Sequence, residues 1–115
     1  MLDSVTSTAL SSALDGLALR QRSIAENIAN VNTPDYQAKR VLFEDRLRSA
    51  VESGVGGVAP TVERSLEPTR RNGNNVNLDT ETLSNIDTVL RYQFAAQALS
   101  GQAASITKAI GQASA

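Results

Sequence analysis

Apolar side chains recur near the start of the chain at alternating spacings of four and three residues. The stripe consists of Leu10, Leu14, Leu17, Gln21, Ile24, Ile28 and Val31. This heptad spacing puts them along one side of an α-helix and is typical of helices that pack lengthwise. It predicts a helix from about Ser4 to Val31, about 40 Å long at 1.5 Å per residue.

A second stripe of the same spacing lies near the end of the chain. It consists of Val89, Tyr92, Ala96, Leu99, Ala103, Ile106 and Ile110, and its first half is widened by Leu83, Ile86, Leu90 and Phe94. The stripe predicts a helix from about Thr80 to Gln112, about 50 Å long. Asp79 is the expected N-cap, and Leu78 is expected to pack on Leu83.

The second predicted helix carries an unusual run without charge. No charged residue occurs between Arg91 and Lys108, whereas an exposed helix normally carries charges on its outer face. We therefore expect other helices to cover this segment on several sides.

The two stripes predict a mainly α fold in which long terminal helices pair as an antiparallel coiled coil. The simplest alternative is a two-helix hairpin within one chain, whose two apolar stripes are buried only against each other. Because the second helix is apolar over a wider surface than one partner covers, we favour copies packed side by side into a tube. The residues expected at the subunit interface are Leu10, Leu14, Leu17, Ile24, Ile28, Val31, Val89, Tyr92, Leu99, Ile106 and Ile110.

The pattern divides one domain into three parts: an N-terminal helix over 1–33, a partly flexible middle segment over 34–77 and a C-terminal helix over 78–115. Within the middle segment, residues 41–51 suit a short helix with an ion pair between Glu44 and Arg48, although residues 41–43 also suit a strand. The glycines and proline of 54–60 predict a flexible loop.

The rest of the middle segment carries weaker signals. Residues 61–63 suit a brief strand, and Asn72-Gly73-Asn74 predicts a tight turn, which together allow a small hairpin near the base of the second helix. The adjacent Arg70 and Arg71 are expected to be solvated.

The amino-acid composition limits the functions that this chain can have. The 115 residues carry a net charge of −1 and are 41% hydrophobic, which suits one small domain without a basic surface for nucleic acid. Aromatic residues make up only 3%, so the chain lacks the large side chains that usually fill an independent core. There is no stretch near the roughly 20 apolar residues that a membrane span needs.

Candidate catalytic chemistry is sparse. The chain has no His and no Cys, so the commonest general base, metal ligand and thiol nucleophile are missing. The nearest carboxylate pairs are Glu44 with Asp45, which point apart on a helix, and Asp79 with Glu81, which suit a helix N-terminus. We expect no enzyme activity, no catalytic, cofactor or metal site, and no small-molecule substrate.

The run from Asn27 to Tyr36 predicts a helix stop. Asn30 and Asn32 tolerate the left-handed conformation that closes many helices, and Pro34 cannot continue one, so the helix should end near Val31. Read alone, this is an ordinary structural stop.

The same run resembles the N-terminal signature of the bacterial flagellar rod, hook and filament-junction protein family. The matching residues are Asn27, Asn30, Asn32, Thr33, Pro34 and Tyr36. The stretch from Asn72 to Glu81, followed by Leu90-Arg-Tyr-Gln93, is similar to the pattern of the proximal rod members. Three positions depart from it: Asp35 stands where the family usually has Gly, and Asn72 and Asn77 where it prefers Asp.

The resemblance implies a structural subunit of the flagellar basal-body rod, at its proximal end, which transmits torque from rotor to hook. It implies contacts with further copies, other rod proteins, a rod-base adaptor and the MS-ring. It also implies export through the flagellar type III apparatus without signal cleavage, which suits residues 1–7, where the basic and apolar regions of a signal peptide are missing.

Within this resemblance, Tyr36 fixes the turn or a subunit contact, and an ordinary anchoring role is the alternative. Two other functions compete with the rod subunit. They are a soluble helical adaptor or chaperone that binds a partner helix, and another short rod subunit of the same family.

Overall fold

The computed structural model describes residues 2–113, which form an elongated molecule measuring 68 × 25 × 15 Å. Within this range the elements are α1 (Leu2–Ala29), β1 (Lys39–Leu42), α2 (Glu44–Glu52), β2 (Thr61–Arg64) and α3 (Leu78–Ala113). Over the same residues, the helices lack a stretch long and apolar enough to cross a bilayer.

The two long helices, α1 and α3, lie antiparallel along each other. At one end of the pair, Ser7 Oγ donates a hydrogen bond to Gln102 Oε1 at 2.9 Å. At the other end, Asn27 Nδ2 donates to Glu81 Oε1 at 3.1 Å. The predicted mainly α fold with paired terminal helices is confirmed.

The side of α3 that faces α1 is displaced by one position from the predicted stripe. Its most buried residues are Glu81, Thr88 and Ala95, seven apart, while Val89 is only half-buried. Thr88 can be buried because its hydroxyl donates to Ser84 O at 2.6 Å, which satisfies the polar group inside the helix. The small side chains at 88 and 95 suit close approach of the two helices.

A small core forms where β1 crosses α1. Leu17, Val41 and Phe43 are buried together, and Ala13, Leu19 and Leu47 pack around them. The Phe43 ring lies directly over Gly16, where an added Cβ would approach a ring atom to 2.6 Å. Gly16 is therefore the position that lets the aromatic ring reach α1.

The middle segment contains both of the structures that its sequence allows. β1 pairs antiparallel with β2, with Lys39 opposite Arg64 and Leu42 opposite Thr61, and α2 follows β1 after one residue. The tight turn expected at Asn72-Gly73-Asn74 is present, with Gly73 at a φ of 81°. It joins no strands, however, because the two-stranded pairing is formed by β1 and β2.

Two local expectations are corrected by long-range contacts. Glu44 pairs with Arg20 of α1, with Nη2 to Oε1 at 2.6 Å, in place of the expected partner Arg48. Arg20 also lies over the Phe43 ring, 4.9 Å from its centroid, so one guanidinium holds both the start of α2 and the aromatic core.

The N-cap of α3 is Asn77, not Asp79. Asn77 Oδ1 accepts hydrogen bonds from the backbone N–H groups of Asp79 at 3.1 Å and Thr80 at 3.3 Å. The helix therefore begins at Leu78, so Leu78 lies inside the first turn, and its predicted packing as the residue before the cap is wrong.

Candidate functional site: an asparagine junction and an apolar ridge

Asn27, near the end of α1, joins three elements through its side-chain amide. Its Nδ2 donates to Lys39 O at 2.8 Å and to Glu81 Oε1 at 3.1 Å. Its Oδ1 accepts from Lys39 N at 2.9 Å and from the Tyr36 hydroxyl at 3.1 Å. Both donors and both acceptor sites are used, which is why this polar side chain can be fully buried. α1, β1 and α3 are tied at one point.

Asn74 does the same for the loop that follows α1. Its Nδ2 donates to Asn30 O and to Thr33 O, both at 2.8 Å. Its Oδ1 accepts from Val76 N at 2.8 Å and from Arg70 Nη2 at 2.9 Å. Asn74 is also fully buried, so the segment before α3 holds the helix stop of α1.

Asn75 completes the set. Its Oδ1 accepts from Ala38 N at 2.6 Å, and its Nδ2 donates to the carbonyls of Ser65 at 3.3 Å and Glu67 at 3.2 Å. We call the assembly of Asn27, Asn74 and Asn75 with the loops 30–37 and 70–77 the asparagine junction. It fastens both long helices and the sheet at one end of the molecule.

Arg70 is a part of this junction that its sequence did not reveal. Arg70 is exposed, as predicted, yet its guanidinium is also engaged: Nη2 donates to Val31 O at 2.6 Å and Nη1 to Val76 O at 3.0 Å. These carbonyls lie 39 residues before and 6 residues after Arg70. A pair of adjacent arginines gives no local signal of such partners.

The helix stop itself uses other backbone angles than expected. Among non-glycine residues in the described range, Asp35 alone has a positive φ, of 61°, so Asn30 and Asn32 are not left-handed. α1 instead ends in tight turns, with Val31 N bonded to Ile28 O at 3.2 Å and Thr33 N to Asn30 O at 3.0 Å. Asp35 adopts the conformation that Gly takes freely, as its place in the signature requires.

Burial affects two ionisable groups that form hydrogen bonds with Asn27. Desolvation raises the pKa of Glu81, while the hydrogen bond from Asn27 opposes this and the charge of Glu67 adds to it. Desolvation also raises the pKa of the Tyr36 hydroxyl. Both groups serve as hydrogen-bonding partners of Asn27.

Away from the junction, α3 exposes a continuous apolar line on its outer side. Leu83, Ile86, Leu90 and Phe94, which we call the apolar ridge, are between 54% and 77% exposed. Their spacing of three and four residues puts them on one helix face. Such a face is unusual on an isolated protein and marks an interaction surface.

An apolar groove of about 760 Å³ lies between α1, α2 and α3. It is lined mainly by Leu10, Ala13, Leu17, Phe43, Leu47, Val51, Leu90, Phe94 and Ala95, and it carries Glu44, Arg48, Glu52 and Arg91 among its charged residues. The upper half of the apolar ridge thus forms one wall of this groove.

The predicted interface residues are divided by the fold. Leu17 and Ile24 are buried inside the single chain, Leu10, Leu14, Val31, Val89 and Leu99 are half-buried, and Ile28, Tyr92 and Ile110 are exposed. The side chain of Ile106 lies outside the described residues. Four of the signature residues take part in hydrogen bonds: Asn27, Asn30, Thr33 and Tyr36. The other two, Asn32 and Pro34, are exposed.

The paired long helices, the buried junction and the exposed apolar surfaces define an elongated, mainly α protein with surfaces suited to packing against other chains. No protein-family model matches the chain. The chain is 32% identical to the flagellar basal body rod protein FlgB of Escherichia coli (strain K12), over 78% of this chain and 81% of the relative. Similarity extends to FlgB of Borrelia hermsii, at 30% identity over 69% of this chain and 76% of the relative. FlgB of Bacillus subtilis (strain 168) is 29% identical, over 81% of this chain and 83% of the relative. The chain belongs to the FlgB family of flagellar basal body rod proteins.

Proposed function

We propose that this chain is a structural subunit of the proximal flagellar rod, which transmits torque from the rotor toward the hook. The observation that carries the proposal is the asparagine junction in a member of the FlgB family. The junction fixes the angle between α1, β1 and α3 through buried hydrogen bonds, and a torque-bearing shaft needs subunits that do not hinge at such a point.

Rigidity along the molecule has a second source. α1 and α3 pack along much of a 68 Å length, and bending them requires many close contacts to shift together. We infer no catalytic role for the chain, because the polar side chains gathered at the junction are engaged with one another and with the backbone.

The proposed partners follow from the family and from the exposed apolar surfaces. They are further copies of the chain, other rod proteins, the rod-base adaptor and the MS-ring, and the chain would reach the periplasmic rod through the flagellar type III export apparatus without signal cleavage. The apolar ridge and the apolar groove are the surfaces available for such contacts.

The decisive test is complementation. A strain whose own FlgB gene is deleted is given this chain, and swimming is scored together with electron microscopy of purified basal bodies. We expect rods and swimming to return, with the chain detected in the basal-body fraction. Normal rods in the uncomplemented deletion strain, or restored rods that do not contain the chain, would contradict the proposal.

The competing adaptor function makes a different prediction for the purified protein. Because the ridge and groove are uncovered in one copy, a rod subunit should gain helical circular dichroism as light scattering reports association. A helical monomer that stays monomeric at high concentration and is retained in the cell body would favour an adaptor that binds one partner helix.

A further inference from the structure

The apolar ridge and the apolar groove differ in shape and position. The lower ridge, formed by Leu83 and Ile86, projects from α3 close to the asparagine junction and lies outside the groove lining. The groove opens further along the molecule and is lined by α1, α2 and the middle of α3. One surface is a projection and the other a recess, and both are apolar.

We propose that the lower ridge of one copy inserts into the apolar groove of a second copy; this docking rests on the proposed rod function and names one of its contacts. The 760 Å³ groove is large enough for both aliphatic side chains, which are 69% and 54% exposed in the single chain. Their insertion removes apolar surface from water on both copies.

Charge fixes the register of this contact. Asp79 lies four residues before Leu83 and therefore on the same face of α3, while Arg48 lines the groove. Both are exposed, and neither forms an ion pair within residues 2–113. In the docked pair, Asp79 of the copy that offers its ridge lies beside Arg48 of the copy that offers its groove. A shift of one turn along α2 would place Asp79 against Glu52 and is disfavoured by repulsion.

The second copy is the expected occupant because the same chain supplies the apolar projection, the recess and the two unpaired opposite charges. The two patches are different parts of the surface, so the contact is heterologous: each copy offers its ridge to one neighbour and its groove to another. Repetition of such a contact builds a ring or an open helical array, as a rod requires.

The absence of cysteine from the sequence permits a direct test by disulfide crosslinking. Leu83→Cys and Val51→Cys are made in separate full-length chains, mixed and mildly oxidised. Val62→Cys replaces Val51→Cys as the control, because Val62 is 47% exposed against 41% for Val51 but lies on β2, away from the groove. We expect the mixture with Val51→Cys to give at least about fivefold more mixed dimer than the control mixture, because docking raises the effective concentration of one thiol beside the other. Equal yields would overturn the proposal.

A charge exchange tests the register. Arg48→Glu or Asp79→Arg alone should weaken the association about 2- to 10-fold, because an attractive rim pair is replaced by repulsion. The two exchanges together should restore it to within about twofold of the original, since the pair is reversed in sign. Circular dichroism of the Asp79→Arg chain reports any effect on the start of α3 separately. Failure of the double exchange to recover association, in a chain of unchanged helicity, would overturn the register.

The occupant is identified in assembled basal bodies. A benzophenone attached to Val51→Cys is photoactivated, and the crosslinked peptide is sequenced by mass spectrometry. A peptide around Leu83 of this same chain supports the proposal, whereas a peptide from another rod protein overturns it. Complementation by the unmodified chain reports the rod function separately, so restored rods without the Leu83 crosslink reject the docking alone.

Discussion

Asn27 and Asn74 each use one carboxamide to join segments that are distant in sequence. An Asp at either site would lack the two N–H donors, and a Leu of similar size would leave backbone N–H and C=O groups buried without partners. Asn is therefore the side chain that fits, and the cost of burying it is offset only while all four of its hydrogen bonds exist.

Asn74→Ala should lower the free energy of unfolding by about 2–4 kcal/mol, because the carbonyls of Asn30 and Thr33 and the N–H of Val76 lose their partner. Urea denaturation followed by circular dichroism measures the change. Asn32→Ala is the matched control, since Asn32 is exposed and should change stability by less than about 0.5 kcal/mol. Equal effects of the two substitutions would contradict the role given to Asn74.

Glu81→Gln should stabilise the protein at pH 7 and have little effect in acid. Burial raises the pKa of Glu81 above its ordinary value of 4.5, so at pH values between 4.5 and the raised pKa the native state binds a proton that the unfolded state has released. Stability contributed by this group therefore rises as the pH falls through the raised pKa and is complete below 4.5. Gln keeps the acceptor for Asn27 without the charge.

Thermal melts of the Glu81→Gln variant at pH 7 and pH 4 test this sign. The midpoint should rise relative to the unmodified chain at pH 7, and the difference should shrink at pH 4. Asp15→Asn, at an exposed position of α1, controls for loss of one negative charge. A destabilised Glu81→Gln variant at pH 7 would show that the ionised carboxylate is required.

The role of a single residue could be predicted only when its hydrogen-bonding partners lie close to it in sequence. The helix stop at Asn30 to Pro34 was evident because turn chemistry is local. The roles of Arg70 and Asn74 were not, since Asn74 bonds to carbonyls 41 and 44 residues away. Sequence spacing carries no information about contacts that only the folded loop creates.

At the scale of elements, two helical glycines are in opposite surroundings. A Cβ at Gly16 would lie 2.6 Å from the Phe43 ring, whereas nothing lies within 4 Å of one at Gly101. Gly101→Ala should therefore stabilise α3 by up to about 1 kcal/mol through helix propensity.

Gly16→Ala should be destabilising by about 1–3 kcal/mol in spite of the same gain in propensity, because the buried ring must move. The pair of substitutions is compared by urea denaturation. Near-uv spectra of the two variants add a control, because only Gly16→Ala should alter the signal of Phe43. A stabilised Gly16→Ala variant would mean that the ring relocates without loss.

The pair between Arg20 and Glu44 attaches α2 to α1 and gives the opposite pH dependence to Glu81. The hydrogen bond from Arg20 is the main reason that the pKa of Glu44 is lowered. Its stabilisation is present above the ordinary value of 4.5 and is lost as the pH falls through the lowered pKa. Glu44→Gln should therefore weaken the protein at pH 7 and converge with the unmodified chain in strong acid.

Asp45→Asn is the matched control for Glu44→Gln, because both acids lie in the first turn of α2 and both affect the helix dipole equally. Amide exchange of α2 at pH 7 should accelerate for Glu44→Gln more than for Asp45→Asn. Identical exchange in the two variants would assign the effect to the helix end and not to Arg20.

The elements themselves were predictable in proportion to their length. The heptad stripes located α1 and α3 to within about two residues at each end, since many turns repeat one signal. β1 and β2 have only four residues each. Periodicity alone could not decide whether residues 41–43 form a strand or part of a helix. Burial of Thr88 in place of Val89 was hidden because a hydroxyl satisfied inside its own helix can face a neighbouring helix.

At the scale of the whole molecule, α3 has 36 residues and α1 has 28, so one helix cannot cover the other completely. Packing with α1 buries the side of α3 that carries Glu81, Thr88 and Ala95 and leaves the apolar ridge exposed. The asparagine junction holds the chain firmly at one end. Few large side chains are available to fill a core, and apolar side chains remain exposed along α3. Such a chain is suited to burial among neighbours.

The same substitution at two leucines separates folding from assembly. Leu17 is 4% exposed and belongs to the core with Val41 and Phe43, whereas Leu83 is 69% exposed on the apolar ridge. Leu17→Asp buries an unpaired charge and should cost more than about 3 kcal/mol, so the chain loses helical signal and is degraded. Leu83→Asp should keep the helical spectrum that the unmodified chain has before it associates, because the side chain at position 83 is in water in the single copy. In a strain that depends on this chain, Leu83→Asp should nevertheless give few rods by electron microscopy, while Leu66→Asp, at an exposed leucine of the middle segment, should leave rods intact. Normal rods with Leu83→Asp would mean that Leu83 stays in solvent after assembly.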